Sequence, residues 1–390
     1  MRNPLSDKIV NIPPSGIRKF FDIVSEMKDA ISLGVGEPDF ETPWHIREEG
    51  IYSLEKGRTF YTSNAGLKPL KVEICEYLKR RCDVAYDPDR EVLVSVGGSE
   101  AIDLAMRAML NDGDEVLVPQ PSYVSYMPCV TLADGVPVVI QLEEKDQFRL
   151  TPEKLLEKIT DKTKILVLPF PNNPTGAIME REDLEKIVEI VLEKDLFVVS
   201  DEIYSELTYG DEPHVTIASF PGMKERTVLI NGFSKAYAMT GWRLGYAAAP
   251  AAILEQMLKI HQYAIMCAPT TSQYAAVSAL KNGDPDVAMM REYYNQRRRF
   301  LLHAFAEMGI ECFEPKGAFY TFPNIKRFGM TSEEFATRLL QEEKVAVVPG
   351  TAFGGCGEGF VRISYAYSLK NLKEALSRIE RFINRLDGKA

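Results

Sequence analysis

KILVLPFPNNPTGAIMEREDLEKIVEIVLEKDLFVVSDE, residues 164–202, is the stretch on which the fold turns. Lys164–Leu168 and Leu196–Ser200 are short, continuous apolar runs. Strands covered on both faces have this pattern, whereas half-exposed strands alternate. Between the two runs Leu184, Ile187, Val188 and Val191 recur with the i, i+3, i+4, i+7 spacing of an amphipathic helix. Strand, helix and strand with short connections build a mostly parallel sheet flanked by helices.

The pattern extends in both directions. Glu91–Val96, Glu115–Val118, Pro137–Ile140, Thr227–Asn231 and Gly245–Ala249 are further candidate strands. Ile102, Ala105, Met106 and Met109 repeat the helical template. The middle of the chain is therefore expected to be α/β, with a mostly parallel seven-stranded sheet and helices on both faces. The ends differ. Residues 1–45 are loop-rich, with Pro13, Pro14, Gly34, Gly36, Pro38 and Pro43. From about residue 285 a long charged helix (Asp286–Met308) leads to strand-like runs at Phe319–Phe322, Val345–Val348 and Phe360–Ser364, then to an amphipathic helix from Lys370 to Leu386. The expected division is a large domain, 46–284, and a smaller α+β domain built from 1–45 and 285–390.

Composition narrows the class. The 390 residues carry 46 Lys and Arg against 56 Asp and Glu, a formal charge of −10 that disfavours a nucleic-acid binder. At 45% apolar and 26% charged, the chain has the composition of a folded globular protein. Its six cysteines form no C-x-x-C pair and no zinc-spaced cluster, which implies reduced thiols, no metal and a cytoplasmic setting. The first residues lack the apolar core of a signal peptide. The apolar stretch Tyr246–Leu254 is too short to span a membrane.

Chemistry-bearing motifs follow the strands, where open α/β sheets bind ligands. Val96-Gly97-Gly98-Ser99-Glu100-Ala101 opens a helix whose free N–H groups suit an anion, or is a turn with Ser99 as a plain cap. Pro171-Asn172-Asn173-Pro174-Thr175-Gly176 is a structural turn or a device aiming the Asn173 amide into a crevice. Asp201, in Ser200-Asp201-Glu202-Ile203-Tyr204, ends an apolar strand, either facing a cation or capping a helix. Asn231-Gly232-Phe233-Ser234-Lys235 places an amine after a strand, and Arg243 follows in Thr240-Gly241-Trp242-Arg243-Leu244-Gly245. Arg362 stands inside a candidate strand, where its planar fork suits a carboxylate or a structural ion pair.

Taken together, these residues resemble the class I and II aminotransferases, fold-type I enzymes that use pyridoxal 5′-phosphate. The resemblance runs from Gly34-Val35-Gly36-Glu37-Pro38-Asp39-Phe40 to Arg362, and Ser234-Lys235 with Met239–Tyr246 is its most specific block. The chain looks most like the prokaryotic aspartate- and aromatic-type subgroup.

The resemblance implies a role for each position. Lys235 forms the Schiff base with the cofactor and, once freed by substrate, moves the proton from the α-carbon. Lysine suits both tasks because burial readily lowers its pKa. Asp201 pairs with the pyridine nitrogen. Tyr204 and Asn173 hydrogen-bond the ring 3′-oxygen, and Tyr123 stacks on the ring. Gly98, Ser99 and Arg243 hold the phosphate, with Glu100 contributing only its backbone N–H. Arg362 binds the substrate α-carboxylate, assisted by Asn173 and the Gly36 backbone. Tyr61 matches the tyrosine that reaches the neighbouring subunit's phosphate, which makes a homodimer with shared sites. One departure is visible: relatives often carry a phosphate-binding serine where this chain has Gly232, leaving Ser234 as a weak substitute.

The implied activity is ping-pong transfer of an amino group from an L-amino acid (aromatic, aspartate-like or broad) to a 2-oxo acid such as 2-oxoglutarate. A β-lyase acting on a cysteine-type substrate would use the same lysine, aspartate and arginine. A non-catalytic regulatory module is the remote alternative. The small or apolar residues Ile12, Ser15, Gly16 and Ile17 lean toward an aromatic or large apolar side chain. The N-terminal segment is the expected lid.

Overall fold

The computed structural model describes residues 2–14, 16, 27, 29–210 and 212–388. Ser15 and Ile17 of the expected specificity positions, and much of the expected lid, lie outside them. Strand β1 (Ile31–Ser32) comes first. The central sheet is made of β2 (Val92–Ser95), β3 (Glu115–Gln120), β4 (Val136–Gln141), β5 (Thr163–Leu168), β6 (Phe197–Asp201), β7 (Thr227–Gly232) and β8 (Gly245–Ala248). Their spatial order is β2-β8-β7-β6-β5-β3-β4. All seven coincide with the expected runs to within one or two residues. β3 to β7 pair in parallel, and only β8 runs the other way, antiparallel to both β2 and β7.

That reversal places chemistry. The carboxyl ends of β2, β5, β6 and β7 lie along one sheet edge, and the start of β8 joins them, with Gly245 opposite both Ser95 and Gly232. Every residue of β2, β6 after Phe197, and β7 is buried, as continuous apolar runs require. The helices seal the faces. Helix Gly98–Met109 buries Ala101, Ile102, Leu104, Ala105 and Met106. Helix Arg181–Glu193 buries Leu184, Ile187, Val188, Ile190 and Val191.

The remaining strands are β9 (Tyr320–Thr321), β10 (Val345–Ala346), β11 (Val348–Pro349) and β12 (Val361–Ser364). The Val345–Val348 run is not one strand. Val345–Ala346 pairs in parallel with β1, whereas Val348–Pro349 pairs with β12, which also pairs with β9. The β1–β10 ladder ties the N-terminal segment to the C-terminal part. One apolar cluster there unites Leu33 with Tyr294 and Phe305 of helix Asp284–Glu307, Phe335 and Leu339 of helix Ser332–Glu343, and Leu376 and Phe382 of helix Leu369–Leu386. It also takes in Tyr204 and Tyr320, so its edge reaches the region beyond β6.

Candidate active site

At that sheet edge a cavity of about 350 Å³ opens between the central sheet and the β9–β12 region. It gathers nearly every expected residue: Gly36, Gly98, Ser99, Tyr123, Asn173, Asp201, Tyr204, Lys235, Arg243 and Arg362 all line it. Glu100 and Tyr61 do not. The Glu100 carboxylate turns away, accepting from the Val96 N–H and pairing with Nδ1 of the buried His261 at 2.7 Å, so only its backbone remains near the helix start. Tyr61 is 78% exposed on this chain's surface, beside Phe60 at 82%.

Lys235 follows the end of β7. Its Nζ donates to the Gly36 carbonyl at 2.6 Å and lies about 6 Å from the Tyr204 and Phe319 ring centres. Burial pushes its pKa down to about 8; Glu37 opposes the shift, and Arg362 and Arg243 add to it. A neutral amine is therefore within reach near physiological pH.

Asp201 ends β6. Its Oδ2 accepts from the Tyr126 hydroxyl at 2.7 Å and its Oδ1 from the Ile203 N–H at 3.2 Å. Burial raises its pKa, while these two donors and Lys235 act against the rise. A cation facing it would favour the charged carboxylate. The local turn is thus capped, and the carboxylate still lines the cavity.

The Asn-Asn pair divides its work. Asn172 is fully buried and holds the turn, its Oδ1 accepting from the Thr175 N–H at 3.2 Å and the Thr175 hydroxyl at 2.9 Å. Asn173 faces the cavity, where its Oδ1 accepts from Arg362 Nη1 at 2.8 Å. Arg362 also donates through Nη2 to the Gly34 carbonyl, and its Nε has no partner. Its guanidinium lies between the Tyr320 and Phe353 rings, 4.4 and 4.8 Å from their centres. Its hydrogen-bond partners are neutral oxygens, with no carboxylate among the described residues. A buried cation without a counter-charge, held flat by two rings, is a ready seat for a carboxylate.

Another part of the cavity lining is shaped by backbone. Gly97 (φ 81°) precedes helix Gly98–Met109, and Ser99 sits within its first turn rather than capping it. The Ser99 hydroxyl is 3.3 Å from that of Tyr123. Arg243 adopts the left-handed region (φ 51°), a costly conformation for a side-chain-bearing residue. It brings the guanidinium so close to Gly97 that a Cβ there would lie 2.8 Å from Nη2. A Cβ on Gly245 would lie 2.6 Å from the Gly97 carbonyl carbon, and one on Gly232 would lie 3.0 Å from the Gly245 Cα. The glycine at 232 thus follows from packing: a serine there would press on the β8 backbone. Ser234, which lines the cavity, is the hydroxyl left on this segment.

Free helix N–H groups, two hydroxyls and Arg243 form a seat for a phosphate-sized dianion. Asp201 and Lys235 line the same cavity. This donor set and the glycine cradle fit a phosphorylated pyridine aldehyde.

Sequence reasoning passed over three residues. Tyr126 lies three positions after Tyr123, a helical spacing indistinguishable from core packing. Glu37 lies inside the Gly34–Phe40 motif and lines the cavity. Tyr320, in the run read as a strand, donates to or accepts from the Tyr204 hydroxyl at 2.8 Å. Only tertiary structure brings it there.

Comparison with known proteins agrees with the geometry. The model of the family described as aminotransferase class I and II matches residues 28–379. An aspartate aminotransferase of Pyrococcus abyssi is 48% identical over 381 residues, covering 97% of this chain and 98% of that protein. The aromatic-amino-acid aminotransferase 2 of Thermococcus litoralis is 44% identical, again covering 97% and 98%. The crystal structure of an aromatic aminotransferase from Pyrococcus horikoshii superposes with a TM-score of 0.91 at 46% identity, over 95% of this chain and 99% of that one. The relatives' names put the weight on amino transfer rather than on a β-lyase or a regulatory module.

Proposed function

We propose, from the premise that this chain belongs to the class I and II aminotransferase family, that its cavity transfers the amino group of an aromatic L-amino acid to a 2-oxo acid such as 2-oxoglutarate. The family depends on pyridoxal 5′-phosphate, and the chain is a transaminase. The observation that carries amino transfer in this cavity is the meeting of Lys235, Asp201 and the uncompensated Arg362. When bound, the cofactor supplies an electron sink for the pair left at the substrate α-carbon.

The chain's own residues do the rest. Asp201 holds a proton on the pyridine nitrogen. Tyr204 and Asn173 would hold the ring oxygen, and Tyr123 would cover the ring. Gly98, Ser99, the Glu100 N–H, Ser234 and Arg243 seat the phosphate. Lys235 anchors the cofactor and then carries a proton at the α-carbon. Arg362, with Asn173 and the Gly36 backbone, grips the α-carboxylate.

The donor's side chain is read from the lining. Lys235, Arg243 and Arg362 are the cations lining the cavity among the described residues, and each already has an anionic or covalent partner in this scheme. Tyr123, Tyr320, Ile102 and Val35 supply apolar surface, and Glu37 would oppose a second carboxylate. Ile12 and Gly16 do not line the cavity. With 2-oxoglutarate as acceptor and Phe, Tyr, Asp, Ala and Met compared as donors, kcat/KM for Phe and Tyr should exceed that for Asp by at least about tenfold. Aspartate as the best donor would overturn the aromatic assignment.

Three further readings complete the proposal. The exposed residues Phe60, Tyr61, Tyr263, Ile265 and Met266 form the face of a homodimer in which Tyr61 reaches the partner's phosphate seat. This is supported by their joining through the Asn64 amide on the Met266 carbonyl (2.7 Å) and the Thr270 hydroxyl on the Phe60 carbonyl (2.7 Å). Residues 46–284 act as one domain and 1–45 with 285–390 as the other. Six free cysteines and the absence, among the described residues, of any helix long and apolar enough to cross a membrane support a cytoplasmic location.

Lys235 gives a pH prediction independent of turnover. Its depressed pKa means that the neutral, nucleophilic amine predominates above pH 8 in the cofactor-free protein. Labelling by dinitrofluorobenzene, followed residue by residue by mass spectrometry, should rise with a midpoint about pH 8 at Lys235. Exposed lysines should follow their usual midpoint of about 10.4. A Lys235 midpoint with the others would refute the perturbation.

A further inference from the structure

We propose that Tyr320 is a positioning residue: its hydroxyl orients the Tyr204 phenol, and its ring couples that phenol to the carboxylate-gripping Arg362. The inference rests on the roles proposed above for Tyr204 and Arg362 and assigns a third residue between them.

Three independent contacts place Tyr320 there. Its hydroxyl is 2.8 Å from that of Tyr204, with the rings edge to face at 5.8 Å and 78°. The Arg362 guanidinium lies over its ring, 4.4 Å from the centre. Its hydroxyl also abuts Gly36, where an added Cβ would come within 2.5 Å of it. Gly36 in turn offers the carbonyl that accepts from Lys235. Tyr320 and Tyr204 are 1% and 5% exposed, so both phenols are largely withdrawn from solvent.

The direction of the hydrogen bond follows from the task. Of two neutral phenols in contact, one donates and the other accepts. If Tyr204 spends its proton on the cofactor's ring oxygen, only its lone pairs remain for Tyr320. Tyr320 must then donate, which fixes the Tyr204 rotor toward the cofactor and supports negative charge on the Tyr204 oxygen. Without that donor Tyr204 is a weaker acid and a freer rotor.

The coupling follows from the cation on the ring. A guanidinium over the Tyr320 face draws electron density from the ring and strengthens its O–H as a donor. The Arg362 charge opposes the upward pull of burial on both phenols, whereas in the cofactor-free protein the Tyr320 hydroxyl adds to that pull on Tyr204. A carboxylate arriving at Arg362 offsets the charge, the Tyr320 O–H weakens, and Tyr204 responds. The other ionisable groups facing the pair are Lys235, Asp201 and Tyr123. The direct 2.8 Å contact between the two hydroxyls leaves no room for any of them between the phenols.

The test reads the visible absorbance of the bound cofactor against pH. It uses the holoenzyme, with and without saturating hydrocinnamate, an unreactive monocarboxylate, in the wild type, Tyr204→Phe, Tyr320→Phe and the double variant. Phenylalanine keeps the ring under Arg362 and removes only the hydroxyl. Tyr204→Phe should move the midpoint, and Tyr320→Phe should move it the same way by about half a pH unit or more. The displacement caused by hydrocinnamate should shrink at least about twofold in Tyr320→Phe, and Tyr320→Phe should add nothing once Tyr204 is Phe. A Tyr320→Phe enzyme titrating like the wild type while Tyr204→Phe is shifted would overturn the inference and leave the Tyr204 role standing. An unmoved Tyr204→Phe midpoint would remove that role and the inference with it. A wild type that ignores hydrocinnamate would refute the coupling.

Discussion

Replacing Lys235 with alanine lowers kcat by at least about 10⁴-fold, because covalent anchoring and proton transfer at the α-carbon are both lost. No other amine lines the cavity among the described residues. Tyr204, its neighbour, is a phenol whose pKa burial raises, so it cannot substitute as a base near neutrality. Folding should survive. The side chain's one hydrogen bond is to the Gly36 carbonyl, and truncation enlarges an existing cavity.

The linkage sign favours the variant. A lysine with a folded pKa of about 8, below its unfolded value, penalises the native state wherever it is protonated. The penalty is fully present below about pH 8 and is gone once pH exceeds the unfolded lysine value of about 10.4. Alanine removes it, so the melting temperature of cofactor-free Lys235→Ala at pH 7 should equal or exceed that of the wild type. The result to look for is a folded, phosphate-binding protein without turnover. Substantial turnover would remove Lys235 from the chemistry.

Arg362→Leu should lower kcat/KM about 10³-fold for every amino acid and every 2-oxo acid alike, a loss of about 4 kcal/mol. The uniformity is the informative part, because all substrates share the α-carboxylate and differ in the side chain. Buried among neutral oxygens and ring faces, the guanidinium has little to do in the resting protein except wait for an anion. Arg362→Lys keeps the charge but loses the planar fork between Tyr320 and Phe353, so its activity should fall between the two. The cofactor should still bind, since Asp201, Arg243 and the glycine cradle are untouched, while its absorbance midpoint should move because the charge over the Tyr320 ring is gone. A loss confined to one class of donor would instead mark Arg362 as a side-chain-selecting residue.

The central sheet was legible because its strands are buried on both faces and so read as unbroken apolar runs. The cavity-lining residues that sit at or just after the ends of those runs (Asn173, Asp201, Lys235) were legible for the same reason. Legibility failed where position depends on contacts distant in sequence. Tyr320 lies 116 residues from the Tyr204 hydroxyl it meets, and nothing in Phe319–Phe322 distinguishes a working phenol from a core aromatic. The Val345–Val348 run was apolar throughout, so its division between two partner strands left no mark on the pattern. Gly232 looked like a missing ligand. Only the packing of β7 on β8 shows it as a position where a side chain would sit tightly against the β8 backbone.

Asp201 and Lys235 hang from the seven-stranded sheet, whereas Tyr320 and Arg362 belong to β9 and β12 of the three-stranded one. The residues proposed to seat the cofactor and those proposed to grip the substrate thus belong to separate sheets. Residues 320–364 form a natural graft: exchanging them between two enzymes of this architecture would carry over the carboxylate grip and its companion phenol while the phosphate cradle stayed with the host. Because every substrate shares the α-carboxylate, such an exchange should leave the choice of side chain with the host.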